Sequence, residues 1–373
     1  MNQITKILLL LFVTIGFVKS TPLSFHDLQN SVNVGTNLLS DVSDNALDLL
    51  GEMTRNEENS VSLATSRRLF EKPLCPDSVL EFNGRDDVMF VLYNKKYPYG
   101  VDISKNLGDN MLIKNAPIKF VIHGFLNGLN SDMCTTVKDA FMKRTEDYNV
   151  IVVDWSKGSG TWLSNYFVCL ITSRIVPIVG ESVADFIVDM INKQDVNILY
   201  VNLIGHSLGA QISGIAGKRL IARGHKLPII VGLDPALPSF GKLSESERLC
   251  PTDAEYVEVI HSNSGELGFK EPIGTADFYP NFGQIIDSRM PGCVTATCSH
   301  AMSFKYFAES VLTPFAFVSY KCSSYSALLR GNCKLGTSTT SYMGGNDMRI
   351  GKLPGIFVLK TNMFEPYGRS MKY

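Results

Sequence analysis

The chain has 373 residues, of which 45% are hydrophobic and 19% charged, and its formal net charge is −1. This composition supplies enough apolar side chains for a folded core and argues against a disordered chain. The near-zero net charge argues against a nucleic-acid-binding protein, because such proteins carry a basic excess. The sequence predicts a globular protein of one large domain or two ordinary ones.

Residues 1–20 have the pattern of a secretory signal peptide. Lys6 supplies positive charge, Ile7 to Val18 form an apolar run, and a moderate cleavage site ends at Ser20. The run is shorter than the ~20 residues needed to span a bilayer, and an N-terminal membrane anchor is the alternative interpretation. We therefore expect a secreted, extracellular protein.

Residues 21–74 differ from the rest of the chain. They contain no Cys, Trp or Tyr, and their apolar residues recur at roughly helical spacing, which predicts one or two amphipathic helices. The dibasic pair Arg67 and Arg68 favours a processed pro-segment, with a permanent helical extension as the alternative. Residues 75–373 then form the main domain.

The chain contains eight cysteines, and an even number in an exported chain indicates four disulfides. None has the paired C-x-x-C spacing of a zinc site, so no metal site is predicted. Local spacing favours the pairs Cys293–Cys298 and Cys322–Cys333. The pairing of the other four stays open: Cys75, Cys134, Cys169 and Cys250.

From about residue 88 the pattern alternates between strands and helices. Strands are predicted at Val88–Tyr93, Ile118–Ile122, Val150–Val153, Ile198–Ile204, Ile229–Leu233 and Tyr256–Ile260. Helices are predicted at Val176–Asn192 and Ala210–Arg223. Continuous apolar strands separated by helices indicate an α/β fold with a mostly parallel sheet covered on both faces.

The segment Gly205–Gly209 reads GHSLG and fits the pattern G-x-S-x-G. It follows a predicted strand directly and opens a predicted helix, as a nucleophile elbow requires. Ser207 would occupy the tight turn, with Gly205 and Gly209 where a Cβ would clash. The alternative interpretation is an ordinary Ser/Gly helix N-cap.

A serine hydroxyl needs a base to remove its proton. In this class of site the chain order is serine, acid, histidine. His300 is favoured because it follows Cys298 closely and precedes the helical run Ala301–Phe307. His261 ends an apolar strand and is alternatively a buried core histidine. We expect His206 to be a packing residue, because its ring should diverge from the adjacent serine.

The acid should follow a strand beside the nucleophile strand, and Asp234 does so. Asp253, Asp277 and Asp287 compete, but none directly ends an apolar strand. An oxyanion hole needs two backbone donors, for which Leu208 N–H and Phe125 N–H are the candidates. The alternative for the glycine-rich stretch around Phe125 is an ordinary turn.

Together these residues resemble the pancreatic lipase family of α/β-hydrolases over about residues 75–345. The resemblance implies an α/β-hydrolase fold with one catalytic domain. It also implies metal-independent, cofactor-free hydrolysis of lipid esters by Ser207, Asp234 and His300. The motifs that carry it are Val121–Phe125, Val152–Trp155, Gly205–Ala210, Gly232–Pro235, Tyr256–Ser262, Asp277–Pro280, Pro291–Cys293 and Cys298–His300.

Departures from the family pattern indicate the substrate. Neutral-lipid lipases of the family carry a long lid between the two cysteines before the histidine, whereas Cys293 and Cys298 enclose only four residues. The loop Ser262–Thr275 also looks shortened, and the C-terminal sandwich that binds a protein cofactor is missing. This combination resembles the phospholipase A1 branch, especially its insect and wasp-venom-like members.

The resemblance therefore implies a phospholipase A1 that cleaves the sn-1 acyl ester of phospholipids. We expect it to act on a phospholipid or other lipid aggregate surface, as a monomer without a colipase-type partner. The alternatives are a triacylglycerol or broad carboxylester lipase, and a non-catalytic lipid-binding or yolk-type protein. Yolk-type relatives have lost the nucleophile, whereas Ser207 is present here.

Overall fold

The structure is a computed structural model in which the described residues belong to one compact unit, Asp77–Tyr373. The predicted signal peptide (1–20) and pro-segment (21–74) lie outside the described residues. Within the described part, no helix is both long enough and apolar enough to cross a membrane. The structure describes residues 82–159, 174–285, 289–336, 339–346 and 352–369.

Eleven strands form one sheet in the described part of the chain. They are β1 (Met89–Asn94), β2 (Tyr97–Asp102), β3 (Ile118–Ile122), β4 (Asn149–Asp154), β5 (Val201–His206), β6 (Ile229–Leu233), β7 (Tyr256–Ile260), β8 (Ala276–Pro280), β9 (Val318–Lys321), β10 (Thr340–Tyr342) and β11 (Gly355–Leu359). Their spatial order is β10-β9-β11-β8-β7-β6-β5-β3-β4-β1-β2. The seven strands from β11 to β4 are parallel, and antiparallel pairs complete both edges.

Helices cover both faces of this sheet. They are α1 (Gly84–Asp87), α2 (Asp132–Met142), α3 (Val176–Gln194), α4 (Leu208–Ala222), α5 (Ala296–Leu312) and α6 (Tyr325–Leu329). Strand β3 shows the layering: Phe120 packs into the core beneath α3 and α4, and Val121 packs into the core beneath α2 and α5. The predicted α/β-hydrolase architecture is confirmed.

The nucleophile strand begins later than the sequence predicts. Residues Ile198–Tyr200 form a 3-10 turn, because the Asn197 side chain accepts the Leu199 N–H at 2.9 Å and holds the chain in a tight turn. Strand β5 starts only at Val201 and ends at His206, one residue before Ser207. The shift leaves the position of Ser207 at the strand end unchanged.

The prediction of four disulfides is wrong. The pairs Cys293–Cys298 and Cys322–Cys333 are present, but Cys134 and Cys250 are free and buried. A disulfide needs two sulfurs in contact, and these two face other groups. Cys134 lies on the buried side of α2, and Cys250 Sγ lies 3.4 Å from Lys218 Nζ. The remaining cysteines, Cys75 and Cys169, lie outside the described residues.

Candidate active site

Ser207 occupies the tight turn between β5 and α4, at the carboxyl edge of the parallel strands. Its backbone has φ 57° and ψ −119°, a conformation that costs a residue with a Cβ about 1–3 kcal/mol. The neighbouring strand stabilises it, because Ser207 N–H donates to Leu233 O at 3.0 Å and Ser207 O accepts the Ala236 N–H at 3.2 Å. The structure thus places Ser207 in a strained elbow.

Two glycines let the elbow pack tightly. A Cβ added to Gly205 would lie 2.1 Å from Gly209 O, and a Cβ added to Gly209 would lie 2.1 Å from Ile122 O. Both separations are far below any tolerated contact, and in each case the obstacle is backbone that cannot rotate away. Strand β5, helix α4 and strand β3 can approach this closely only because both positions lack a side chain.

Asp234 and His300 form an acid–base pair beside the elbow. His300 Nδ1 lies 2.5 Å from Asp234 Oδ2, and the carboxylate is fully buried whereas 12% of the His300 side chain is exposed. A carboxylate only accepts, so it fixes the proton on Nδ1 and leaves the lone pair on Nε2. Nε2 of His300 bonds to no described residue, including Ser207. In hydrolases the hydrogen bond between the base and the serine hydroxyl commonly tightens only when substrate binds.

The loop after β7 surrounds the Asp234 carboxylate. Oδ1 accepts the N–H groups of Ser262 at 2.7 Å and Asn263 at 3.0 Å. Gly268 of the same loop lies so close that an added Cβ would be 2.3 Å from Oδ1. These contacts orient the carboxylate, and sequence reasoning missed them. The available signal was that Ser262 follows the strand next to β6, so it reaches the same edge of the sheet.

His206 packs in the core, and its neighbour there is His300. The two rings lie 4.4 Å apart between centroids, and His206 Nε2 donates to His300 O at 3.2 Å. Phe304 meets the His206 ring edge-on at 5.3 Å. Burial, and after it the neighbouring His300, hold the pKa of His206 well below its ordinary value. His206 is therefore neutral beside the base.

His261, the other histidine considered as the base, lies in the core. Its Nε2 is 2.9 Å from Asp277 Oδ1, its Nδ1 is 2.8 Å from Phe269 O, and its ring stacks on Tyr279. Both ring nitrogens are committed to acceptors and the ring is fully buried. The structure therefore gives His261 the role of a core histidine and makes Asp277 its partner.

The remaining candidate groups lie elsewhere. Asp253 forms an ion pair with Lys218 on α4, and His225 follows the end of that helix. Neither contacts the acid–base pair. His26 and Asp287 lie outside the described residues. Among the described candidates, the structure brings together Asp234 and His300, and the His300 ring packs on His206, the residue before Ser207.

The predicted oxyanion donors lie around the serine. A Cβ added to Gly124 would be 2.8 Å from Ser207 Cβ, so the backbone after β3 reaches the nucleophile directly. The next N–H, of Phe125, bonds to no described residue. Leu208 begins α4, where the first N–H groups of a helix lack partners within it. This geometry suits two backbone donors to a developing oxyanion.

A stacked pair holds the loop after β3 in place. The His123 ring stacks on Trp155 at 5.3 Å, and Trp155 Nε1–H donates to His123 O at 2.9 Å. Further along the loop, Leu126 N–H donates to Ser159 O at 2.9 Å. The segment that carries Gly124 and Phe125 is therefore fixed at both ends to the chain that follows β4.

The Cys293–Cys298 disulfide lies just before the candidate base. Its Cα atoms are 5.5 Å apart, and Thr295 within the loop accepts the Cys298 N–H at 3.1 Å and caps α5. His300 lies in the first turns of that helix. Val294, at the loop tip, is 90% exposed. The loop therefore projects into solvent and supports the start of α5.

The site is arranged for nucleophilic acyl transfer by a serine, since it joins a strained nucleophile, an acid–base pair and backbone donors. Within the described residues, no group of three or more His, Cys, Asp or Glu side chains is placed to hold a metal ion. A parallel sheet with an elbow after a central strand, an acid after the next and a histidine later is the α/β-hydrolase architecture.

Comparison with known proteins identifies related lipases and phospholipases. A sequence model described as Lipase matches residues 79–367. The chain is 34% identical over 282 residues to pancreatic lipase-related protein 2 of Bos taurus, covering 66% of this chain and 56% of that relative. It is 37% identical over 251 residues to phospholipase A1 of Polybia paulista, covering 64% and 74%.

The chain therefore belongs to the Lipase family. It is also 36% identical over 242 residues to phospholipase A1 2 of Dolichovespula maculata, covering 61% of this chain and 77% of that relative. The chain spans a little over half the length of the mammalian lipase-related proteins that it matches. The predicted resemblance to the pancreatic lipase family is confirmed.

Proposed function

We propose that this chain is a secreted serine ester hydrolase that cleaves the sn-1 acyl ester of phospholipids, a phospholipase A1. The observation that carries the proposal is the buried Asp234 carboxylate 2.5 Å from His300 Nδ1, beside a serine held in a strained elbow. Relatives named phospholipase A1 support the choice of substrate, because the matched region covers about three quarters of their length.

The proposed reaction begins when His300 Nε2 takes the Ser207 hydroxyl proton and Ser207 Oγ attacks the ester carbonyl carbon. Asp234 stabilises the imidazolium that forms and holds its orientation. The Leu208 and Phe125 N–H groups donate to the oxyanion, and loss of one such donor typically costs about 3–4 kcal/mol. His300 then protonates the departing lysophospholipid oxygen, and water hydrolyses the acyl-enzyme by the same route.

The short disulfide loop supports a phospholipid substrate. Four residues between Cys293 and Cys298 are too few to form a long lid, and Val294 at the loop tip packs against little of the described part of the chain. A site without a long lid would accommodate a polar headgroup at a lipid aggregate surface. The proposed enzyme acts as a monomer, without a metal, a cofactor or a colipase-type partner. The two disulfides support an extracellular location.

The second candidate function is that of a triacylglycerol or broad carboxylester lipase. It is favoured by the 32% identity to pancreatic triacylglycerol lipase of Mus musculus over 298 residues. A non-catalytic lipid-binding or yolk-type role is opposed by the presence of Ser207, Asp234 and His300 together.

The test is to incubate the purified chain with mixed-chain phosphatidylcholine vesicles and with triolein, and to identify the products by mass spectrometry. We expect release of the sn-1 fatty acid and little oleate from triolein. The matched control is Ser207→Ala, which should lower kcat by about 10⁶-fold if the triad acts as a unit.

Two results would contradict the proposal. Preferential hydrolysis of triolein would make the chain a triacylglycerol lipase and show that the short loop does not decide the substrate. Vesicle binding without hydrolysis of either lipid, and with no labelling by a serine-directed inhibitor, would indicate a lipid-binding protein.

A further inference from the structure

Three side chains donate to a single backbone carbonyl, that of His300. The donors are His206 Nε2 at 3.2 Å, Ser262 Oγ at 3.3 Å and Ser303 Oγ at 2.9 Å. Ser303 belongs to α5, as His300 does, so its bond lies within one helix. The other two donors come from different segments of the chain: one directly precedes the nucleophile, and the other lies in the loop around the acid.

Ser262 contacts the acid and the base at once. Its N–H donates to Asp234 Oδ1 at 2.7 Å and its hydroxyl donates to His300 O at 3.3 Å. The residue is fully buried, so water does not compete for either bond. The main chain of the base and the carboxylate of the acid are therefore fixed to the same residue.

His206 makes the corresponding link to the nucleophile. Its backbone continues directly into Ser207, and its ring packs on the His300 ring while Nε2–H donates to His300 O. With the proton on Nε2, the buried Nδ1 has only a lone pair and has no partner among the described residues. A neutral ring here places no positive charge against the imidazolium that forms on His300.

We propose that His206 and Ser262 are positioning residues that fix the base to the nucleophile and to the acid through the main-chain carbonyl of His300. The inference rests on the proposed serine hydrolase mechanism. Ser303 cannot do this, because it moves with the helix that carries the base. A misplacement of the base by about 1 Å is enough to cost about 10²-fold in rate.

The experiment uses the full chain and the variants His206→Phe, His206→Gln and Ser262→Ala, with kcat and KM measured on a soluble short-chain ester. Phe keeps the ring and loses the donor, and should lower kcat by about 10²-fold with KM unchanged. Ser262→Ala should lower kcat by about tenfold. Gln keeps a donor near the Nε2 position and should restore kcat to within about threefold of the wild type.

The matched control is Ser310→Ala. Ser310 is a buried serine of α5 that donates to Phe307 O at 2.5 Å, three residues earlier, and accepts the Gly345 N–H at 2.8 Å. Its removal breaks two hydrogen bonds, so it should lower stability at least as much as Ser262→Ala does. It links no part of the triad, so kcat per folded molecule should not change.

A second measurement follows the base directly. The His300 Nδ1–H in its short bond to Asp234 should give a strongly downfield proton resonance in the wild type, and it should weaken or shift in His206→Phe and Ser262→Ala but not in Ser310→Ala. The proposal is overturned if both variants match Ser310→Ala in kcat and in this resonance. If His206→Phe does not fold, Ser262→Ala and His206→Gln decide. An inactive wild type would refute the proposed function alone, because the resonance needs no turnover.

Discussion

Three His–Asp pairs lie in the described part of the chain, and the two with the shortest distances, His300–Asp234 and His261–Asp277, differ in their surroundings. His300 uses Nδ1 to meet Asp234 at 2.5 Å and keeps part of its ring exposed. His261 uses Nε2 to meet Asp277 at 2.9 Å, and both side chains are buried. The separation between the nitrogen and the carboxylate oxygen therefore does not distinguish a catalytic pair from a structural one.

The difference lies in the second ring nitrogen. In His261, Nδ1 is taken by Phe269 O and the ring is covered by Tyr279, so no lone pair is available to a substrate. In His300, Nε2 has no partner among the described residues. A general base needs an accessible lone pair as well as an orienting acid. The uncommitted Nε2 therefore supports the proposal that His300, and not His261, is the base.

Among the tests of this comparison, the largest effect is expected from Asp234→Asn, which breaks the pair with His300. An amide cannot fix the proton on His300 Nδ1 as a carboxylate does, so the wrong tautomer becomes populated and kcat should fall by about 10⁴-fold. Hydrolysis of a soluble ester measures the loss, and circular dichroism should show a retained fold. A loss below tenfold would show that Asp234 is not the partner of the base.

Asp277→Asn breaks the second pair and should act on stability. Asp277 Oδ1 accepts the buried N–H groups of His261 and Ile273, and leaving a buried donor without its acceptor typically costs about 1–3 kcal/mol. Urea unfolding measures this cost, and titration with a serine-directed inhibitor gives kcat per folded molecule, which should stay within about tenfold of the wild type. A large loss of kcat at unchanged stability would place Asp277 in the catalytic pair.

The two disulfides allow a smaller test, since each lies near one pair. Cys293–Cys298 precedes His300, whereas Cys322–Cys333 packs in the cluster that contains Tyr279. Their short loops predict similar losses of stability, about 2 and 3 kcal/mol. We expect Cys293→Ser with Cys298→Ser to lower kcat about tenfold as well, because the start of α5 loosens. The other double variant should change thermal stability only, and equal kcat values would contradict this assignment.

The smallest effect concerns His206 and pH. Its pKa is lowered in the folded chain, so below about pH 6.5 the unfolded chain binds more protons than the folded one. Stability is therefore full above that pH and falls as the pH drops, by up to about 1.4 kcal/mol per unit. The unfolding free energy of the wild type should therefore fall on acidification by more than that of His206→Gln, which lacks the titrating ring. Parallel curves would show that His206 titrates normally.

The nucleophile, the acid and the base could all be proposed from the sequence, because parallel strands bring their carboxyl ends to one edge. Ser207 and Asp234 each follow an apolar strand, so their convergence follows from strand order alone. The chain context favours His300 over His261. The sequence left both open because both follow the candidate acid Asp234 in the chain.

The supporting contacts could be predicted only in part. The place of Ser262 after β7 indicates that it reaches the edge of the sheet beside Asp234. The bonds that Ser262 and Asn263 make there depend on the path of a loop, which leaves no periodic pattern. The contact between His206 and His300 depends on where α5 crosses the elbow. Strand β10 has only three residues and no apolar run, so it gives no signal either. Counting cysteines failed for a related reason, since the count does not show which sulfurs face each other.

The two unpaired thiols affect how the molecule can be handled. Burial raises the pKa of the Cys134 thiol to about 12, so almost none of the reactive thiolate exists in the folded chain, and Cys250 is equally hidden. Unfolding exposes both thiols beside the disulfides, so thiol–disulfide exchange can rearrange the cross-links only while the chain is unfolded. The integrity of the disulfides in neutral solution therefore depends on how often the chain unfolds.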